Sequence, residues 1–266
     1  MYVFEALKQG SSGAEVRFLQ RSLPWWSWDD PAPSDIDGAY GPGTRNAVSR
    51  FQSEMGLTAD GVAGSNTCKA LGIWADTLLG IDVSDHQGTI NWPVVTGVNF
   101  VFVKASQGDT FKAKNWAANY TGARGRGLRV GAYHYADGDV PPRTEVNNFL
   151  AALGGRPLDL PPALDVEDTF VLTGQAGLDW VHEWLSQVER ALGVRPILYT
   201  SSRIAASKLN GGDSLKDYKV WFPKWGDQPL NVLPWGQLSI WQYSNSGSVP
   251  GITGNVDMNR MVAADF

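Results

Sequence analysis

Ala163-Leu164-Asp165-Val166-Glu167-Asp168 follows the paired prolines Pro161 and Pro162 and reads as a short apolar strand that ends in acid. On a strand, the two-residue side-chain period points Asp165 and Glu167 to one face and turns Val166 the other way, into a core. Two carboxylates in one small volume disfavour each other's ionisation, so one should keep its proton to higher pH while the other stays charged. Cleavage of a glycosidic bond needs that division: a proton donor for the leaving oxygen and a charged partner for the sugar. A pair of solvated acids at a strand end is the plain alternative, and the surrounding chain decides between the two.

Similar strands lie on both sides. Upstream are Leu79-Gly80-Ile81-Asp82-Val83-Ser84, Phe100-Val101-Phe102-Val103-Lys104 and Val130-Gly131-Ala132-Tyr133-His134-Tyr135; downstream is Pro196-Ile197-Leu198-Tyr199. Helical stripes separate them, with Val146, Phe149, Leu150 and Leu153 in one and Trp180, Trp184, Leu185, Val188 and Leu192 in another. Alternation of strand and helix implies an α/β fold, parallel strands with helices outside, closed as a barrel or barrel-like sheet over residues 79–266. After Lys219 the helices fade, and Val220-Trp221-Phe222, Leu238-Ser239-Ile240-Trp241-Gln242-Tyr243 and Asn255-Val256-Asp257-Met258 read as further strands. Sites in such barrels lie at the carboxyl ends of the strands. Asp82, Asp165, Glu167 and Asp257, from three separate strands, are therefore expected on one floor. Tyr133, Tyr135, Tyr199, Trp241 and Tyr243 offer aromatic walls, and Lys104 and Gln107 are either substrate contacts or solvated strand ends.

Residues 1–75 have a different grammar. Asp37-Gly38 with Gly41 and Thr44, then Asp60-Gly61 with Gly64 and Thr67, repeat the spacing D-G-x-x-G-x-x-T. Each copy reads as a turn feeding a helix, since Gly permits positive φ and Thr can cap the first turn. Ala47, Val48, Phe51 and Met55 then fall at helical spacing with Gly56 at the cap, and Val16, Leu19 and Leu23 make an upstream stripe. A small three-helix domain is the expectation. The run Leu7-Lys8-Gln9-Gly10-Ser11-Ser12-Gly13, with Val16, Leu19, Gln20 and Phe51-Gln52, resembles the peptidoglycan-binding domain found beside bacterial and phage cell-wall hydrolases. The chain departs from that pattern at the longer, aromatic stretch Pro24-Trp25-Trp26-Ser27-Trp28-Asp29-Asp30-Pro31. Trp25, Trp26 and Trp28 form either a glycan platform or a cover for the small bundle. Residues 73–77 read as a short joint of limited freedom.

Composition narrows the partners. A formal net charge of -5 without a Lys/Arg cluster speaks against nucleic acid. The single cysteine, Cys68, excludes an internal disulfide and reads as a small buried hydrophobe. Met1-Tyr2-Val3-Phe4-Glu5-Ala6-Leu7 has no basic start followed by a long apolar run, so neither a secretory signal nor stable membrane association is expected. The 12 tryptophans suit a protein that stacks on sugar rings.

Gly80-Ile81-Asp82-Val83-Ser84, Gly131-Ala132-Tyr133-His134-Tyr135, Ala163-Leu164-Asp165-Val166-Glu167, Trp241-Gln242-Tyr243 and Val256-Asp257-Met258-Asn259 together resemble the ordered motifs of glycoside hydrolase family 25, the lysozymes with a modified (β/α) barrel. The resemblance spans residues 79–266 and implies hydrolysis of the β-1,4 bond between N-acetylmuramic acid and N-acetylglucosamine in bacterial peptidoglycan. It would make Glu167 the general acid, Asp165 its charged neighbour, and Asp82 and Asp257 further acids around the cleaved sugar. The chain departs from the family at Trp221-Phe222-Pro223-Lys224-Trp225, which bears on the shape of one groove wall. Two routes remain open. The substrate's own 2-acetamido oxygen can attack the anomeric carbon while Asp165 orients the amide, or water can attack with Asp82 or Asp257 as base across the groove. Placement of two acids two residues apart on one strand favours the first.

Rival enzymes ask for residues that the sequence lacks. His86, His134 and His182 have no ligand spacing with one another, so no metal and no cofactor are expected. Cys68 belongs to the other domain and offers no cysteine-peptidase dyad. His134 alternates with Tyr133 and Tyr135 and should point away from the groove. A wall-binding protein without turnover is the non-enzyme alternative. A wall-binding domain beside a muramidase without a signal fits a monomeric phage endolysin, held in the host bacterial cytoplasm until released to the cell wall; a bacterial autolysin is the other origin.

Overall fold

The computed structural model describes residues 6–24, 36–71, 77–225, 234–235 and 238–262. Trp25, Trp26 and Trp28, and the proposed joint except Thr77, lie outside the described residues. The chain divides into two compact units, one of residues up to Thr77 and one of nearly all those from Leu78.

The small unit holds α1 (Ala14–Ser22), α2 (Pro42–Glu54) and α3 (Ser65–Ala70) around Val16, Leu19, Leu23, Tyr40, Val48, Phe51, Ala63 and Cys68. Its repeat is a duplicated clamp. Gln20 Nε2 donates to Asp37 Oδ1 (3.0 Å), to the Ala39 carbonyl (3.1 Å) and to Thr44 Oγ1 (3.0 Å), while its Oε1 accepts from Gly38 N (2.9 Å). Gln52 repeats this with Asp60 Oδ1 (2.9 Å), the Val62 carbonyl (2.9 Å), Thr67 Oγ1 (2.8 Å) and Gly61 N (2.9 Å). Both turn glycines have positive φ, +80° at Gly38 and +68° at Gly61, which explains the Asp-Gly pair in each copy. A buried glutamine on one helix thus fixes the turn that starts the next.

The larger unit is a barrel of eight strands: β1 (Thr77–Val83), β2 (Phe100–Gln107), β4 (Arg129–Tyr135), β5 (Ala163–Asp165), β6 (Ile197–Tyr199), β7 (Val220–Pro223), β8 (Ile240–Gly247) and β9 (Val256–Val262). A two-residue strand, β3 (Phe111–Lys112), hangs on β2 as a hairpin. The ring runs β1-β9-β8-β7-β6-β5-β4-β2 and closes where β1 pairs with β2. Pairings from β1 through β2 and on to β8 are parallel, and β9 runs against β8. Helices α4 (Trp116–Gly125), α5 (Pro142–Leu153), α6 (Gly174–Leu192) and α7 (Ser202–Lys208) fill the crossovers from β2 to β7. Only the two 3₁₀ turns Asp85–Gln87 and Trp92–Val94 stand between β1 and β2, and β8 turns directly into β9. These are the modifications of the regular eightfold pattern.

The barrel interior is packed rather than hollow. Phe100, Phe102, Ala163, Ile197, Trp221, Ile240 and Met261 form one buried cluster. Glycines make room for the rings: a Cβ on Gly80 would lie 2.4 Å from Phe100, and one on Gly131 would lie 2.3 Å from Phe102. That apolar plug leaves the carboxyl ends of the strands as the open face of the barrel.

The acidic strand is shorter than the sequence suggests. It ends at Asp165, where it leaves β4 and β6, and Val166 and Glu167 continue past it. The extended course persists because Val166 N donates to the Tyr199 carbonyl at 3.0 Å and the Val166 side chain is fully buried. Among the described residues no helix is long and apolar enough to cross a membrane.

Candidate active site

At that open face lies a cavity of about 250 Å³ whose lining includes Asp82, Lys104, Tyr133, Tyr135, Asp165, Glu167, Tyr199, Trp221, Gln242 and Asp257. All four acids singled out from the sequence therefore meet. Asp82 arrives from the end of β1 and Asp165 from the end of β5. Asp257 comes from the start of β9, and the antiparallel course of that strand brings its first residues to the face where the parallel strands end.

Asp82 is the most elaborately held. Its Oδ2 accepts from Asn259 Nδ2 at 2.7 Å and from Gln242 Nε2 at 3.0 Å. Each amide is oriented by another ring: Trp221 Nε1 donates to Asn259 Oδ1 at 2.7 Å, and the Tyr199 hydroxyl donates to Gln242 Oε1 at 3.0 Å. Burial, with Asp257 close beside it, pushes the Asp82 carboxyl up to about 8 even against these donors. Asp257 is hydrogen-bonded to Asp82 and is itself raised, chiefly by burial. Each thus disfavours the ionisation of the other, as like charges held close together and away from water do.

Asp165 and Glu167 form the second pair. Burial and the adjacent Glu167 raise the Asp165 carboxyl well above the usual carboxylate range, with the Lys104 ammonium pulling the other way. Asp165 Oδ1 is buried without a hydrogen-bond partner among the described residues. Glu167 is also raised, mainly by burial, and the Tyr199 hydroxyl opposes the rise. The cluster is thus a set of carboxyls whose ionisation burial and neighbouring charge disfavour, with one buried acceptor, Asp165 Oδ1, unpaired among the described residues.

Among the proposed aromatic walls, Tyr133, Tyr135 and Tyr199 line the cavity, whereas Trp241 and Tyr243 do not. Strand alternation explains the difference. Ile240 faces the barrel core, so Gln242 follows it inward and its two neighbours turn out. Trp241 Nε1 donates to the Lys224 carbonyl at 2.7 Å, and its ring packs on Tyr243 at 5.5 Å. Gln242, Asn259, Trp221, Trp225 and His86 were not picked from the sequence as site residues. The period-two rule applied to β8 and β9 finds Gln242 from Ile240 and Asn259 from Asp257. Trp225, 59 % exposed, belongs to the stretch that the sequence connects with one groove wall, whereas nothing local flags His86.

His134 is fully buried on the other face of β4, between Ser106 Oγ and Glu145 Oε2, both at 2.8 Å. Among the described residues, no group of three or more His, Cys, Asp or Glu side chains is arranged to hold a metal ion.

Comparison with known proteins matches this arrangement. The family model for glycosyl hydrolases family 25 matches residues 81–252, and that for a peptidoglycan binding domain matches residues 12–71. Lysozyme M1 of Streptomyces globisporus is 30% identical over 204 residues, covering 70% of this chain and 69% of that protein. The crystal structure of the bacterial lysozyme from Streptomyces coelicolor superposes with a TM-score of 0.65 at 28% identity, over 71% of this chain and 94% of that one. The CTP1L endolysin superposes at 0.62 and 26% identity, over 71% of this chain and 67% of its own.

Proposed function

The chain belongs to glycosyl hydrolase family 25, and from that membership we infer that it is a peptidoglycan N-acetylmuramidase, a lysozyme, cutting the β-1,4 bond between N-acetylmuramic acid and N-acetylglucosamine. The observation that carries the reading is the meeting of Asp82, Asp165, Glu167 and Asp257 in one cavity.

In the mechanism we propose, Glu167 protonates the glycosidic oxygen. Its raised carboxyl keeps that proton at pH values where an ordinary glutamate has lost it. The substrate's 2-acetamido oxygen attacks the anomeric carbon, and the leaving sugar departs with the Glu167 proton. Asp165 accepts from the acetamido N–H, which favours its carboxylate form as positive charge builds on the cyclic intermediate. Water, deprotonated by Glu167, then opens that intermediate with overall retention. Asp82 and Asp257 act as a one-proton pair that meets the sugar without placing two full charges beside it.

Residues 1–75 hold the enzyme on its insoluble substrate, a role supported by the peptidoglycan-binding match. Tethering raises the local concentration of glycan around the barrel. We read the whole as a monomeric endolysin, held in the host bacterial cytoplasm until membrane permeabilisation releases it to the cell wall; its likeness to the CTP1L endolysin supports this. Expression inside a susceptible bacterium should leave cells intact until the membrane is permeabilised, whereas lysis without that step would point to an exported autolysin.

Mass spectrometry of purified peptidoglycan after digestion and borohydride reduction tests the activity. Reduced N-acetylmuramic acid at the new ends is the expected product. Reduced N-acetylglucosamine, or no new ends from any wall type, would overturn the assignment.

A further inference from the structure

Lys104 has no part in the chemistry above, yet among the described residues that line the acid cavity it is the sole lysine or arginine. Regular alternation along β2 puts it there, and a local irregularity just beyond it brings a partner. Phe100 and Phe102 face the barrel interior and Lys104 follows them, pairing with Tyr133. The register then shifts between Lys104 and Ser106, so that Ser106 pairs with His134 and Gln107 with Tyr135. In a regular strand, residues three apart face opposite sides. The bulge at Ala105 cancels one alternation and puts Lys104 and Gln107 on the same side. Their side chains accordingly meet, with Lys104 Nζ donating to Gln107 Oε1 at 2.8 Å.

That contact begins a continuous chain of support. Gln107 Nε2 donates to Asp137 Oδ1 at 3.1 Å. Asp137 sits in the loop after β4, which Glu145 of α5 holds by accepting from Gly138 N (2.8 Å) and Asp137 N (3.4 Å). Glu145 is anchored by His134, and His134 by Ser106, the residue on the far side of the bulge. Asn148 Nδ2 ties down the hairpin through the carbonyls of Gln107, Gly108 and Phe111. A Cβ on Gly108 would lie 2.3 Å from Asp137 Oδ2, so the approach of that carboxylate depends on the glycine. The ammonium also lies 4.4 Å above the centre of the Tyr135 ring, a cation–π contact that keeps it over the cavity.

We propose that Lys104 is a positioning residue of the reaction: its ammonium, aimed by Gln107 and Asp137, is the counter-charge against which the Asp165 carboxylate works. This rests on the muramidase reading. The groups facing this part of the cavity are Asp82 from β1, Asp85 and His86 beyond it, Tyr133 and Tyr135 from β4, Asp137 after β4, Glu167 after β5, Tyr199 from β6 and Asp257 from β9. None of the others brings a permanent positive charge. Burial lowers the Lys104 ammonium while Asp165, Asp137, Glu167 and Asp85 hold it up, and Lys104 in turn pulls both Asp165 and Glu167 down. Asp165 must be charged to orient the acetamido group, so loss of Lys104 should let it keep its proton to higher pH and move the acid limb of the rate profile upward.

The experiment compares wild type, Lys104→Met, Lys104→Arg and Asp137→Asn in two readouts: the pH profile of kcat/KM on solubilised glycan, and ¹³C-carboxyl NMR titration of Asp165 in the unliganded protein. Lys104→Met should raise both the acid limb and the Asp165 midpoint by about one pH unit. Lys104→Arg should restore most of the wild-type profile. Asp137→Asn keeps an acceptor for Gln107 and removes one carboxylate, so it should leave the Lys104–Gln107 contact in place and not raise the Asp165 midpoint. An unchanged Asp165 titration in folded Lys104→Met would overturn the proposal, as would a rise in KM with the acid limb in place, which would mark Lys104 as a substrate contact. The NMR arm needs no turnover, so a wild type inactive on every wall would refute the muramidase reading while the titration still decides the role of Lys104.

Discussion

Asn259 Nδ2 stands 2.7 Å from Asp82 Oδ2, a buried hydrogen bond between residues 177 positions apart in sequence. It joins the first barrel strand to the last at the level of the acids, and Trp221 braces the same amide from below through its 2.7 Å bond to Asn259 Oδ1. One asparagine therefore serves barrel closure and the electrostatics of the site together. Replacing Asn259 by Ala strands an indole N–H and removes one of two donors from Asp82. Urea unfolding of Asn259→Ala should show a loss of about 1–3 kcal/mol, and a variant as stable as wild type would mean that water replaces the amide.

The Asp82–Asp257 pair gives the protein a pH-dependent cost. Asp82 is raised from 3.8 to about 8 in the folded state, so the folded chain binds more protons than the unfolded one between those values. Stability contributed by this site is then present at low pH and falls as pH rises through that window. Asp82→Asn keeps an acceptor for Asn259 and Gln242 and donates to Asp257. At pH 8 it should raise stability by roughly 2 kcal/mol, or about 4–8 °C in melting temperature, with almost no gain at pH 4. Calorimetry at the two pH values checks this, and a gain of equal size at both would refute the raised Asp82 carboxyl.

Glu167→Gln removes the proton donor while keeping the shape and the neighbour of Tyr199. Activity on purified wall should fall about 10²–10⁴-fold, with sedimentation onto wall fragments unchanged. Residual activity near wild type would move the acid role to another carboxyl.

Gly131 lies beneath the site, where an added Cβ would meet Phe102 at 2.3 Å. Gly131→Ala should cost about 1–3 kcal/mol in denaturant melts, because Phe102 is enclosed by Trp221 at 4.7 Å between ring centroids and cannot retreat.

In the small unit, Gln20→Ala and Gln52→Ala remove equivalent clamps. Each should depress its melting by a similar amount, on the order of 2 kcal/mol. A strong effect at one position only would show that the two halves of the duplication have diverged in load.

Much of the architecture was legible because its signals are local. Apolar runs and helical stripes identify the order of strands and helices, and the Asp-Gly repeat marks the turns of the small unit. The four acids were legible because they stand at or just past strand ends on one face: Asp82 near the end of β1, Asp165 at the end of β5 with Glu167 just beyond it, and Asp257 near the start of β9. Harder to see were features set by register. The bulge at Ala105 has no residue signature, yet it decides that Lys104 and Gln107 share a side. The inward turn of Gln242 and the outward turn of Trp241 follow from a period of two, but aromatic content drew attention to Trp241 rather than to Gln242. Gln20 and Gln52 stand out in the sequence only through the family resemblance, because the clamps they make join a helix to a turn that its local pattern does not reveal.

The central claim is that Asp165 and Glu167 work together through the substrate's own acetamido group. NMR of the first anomer released from a soluble wall glycan tests it most directly, read before mutarotation mixes the products. The account predicts an initial β product, from retention at the cleaved β-1,4 bond; an initial α product would show direct attack by water and contradict it.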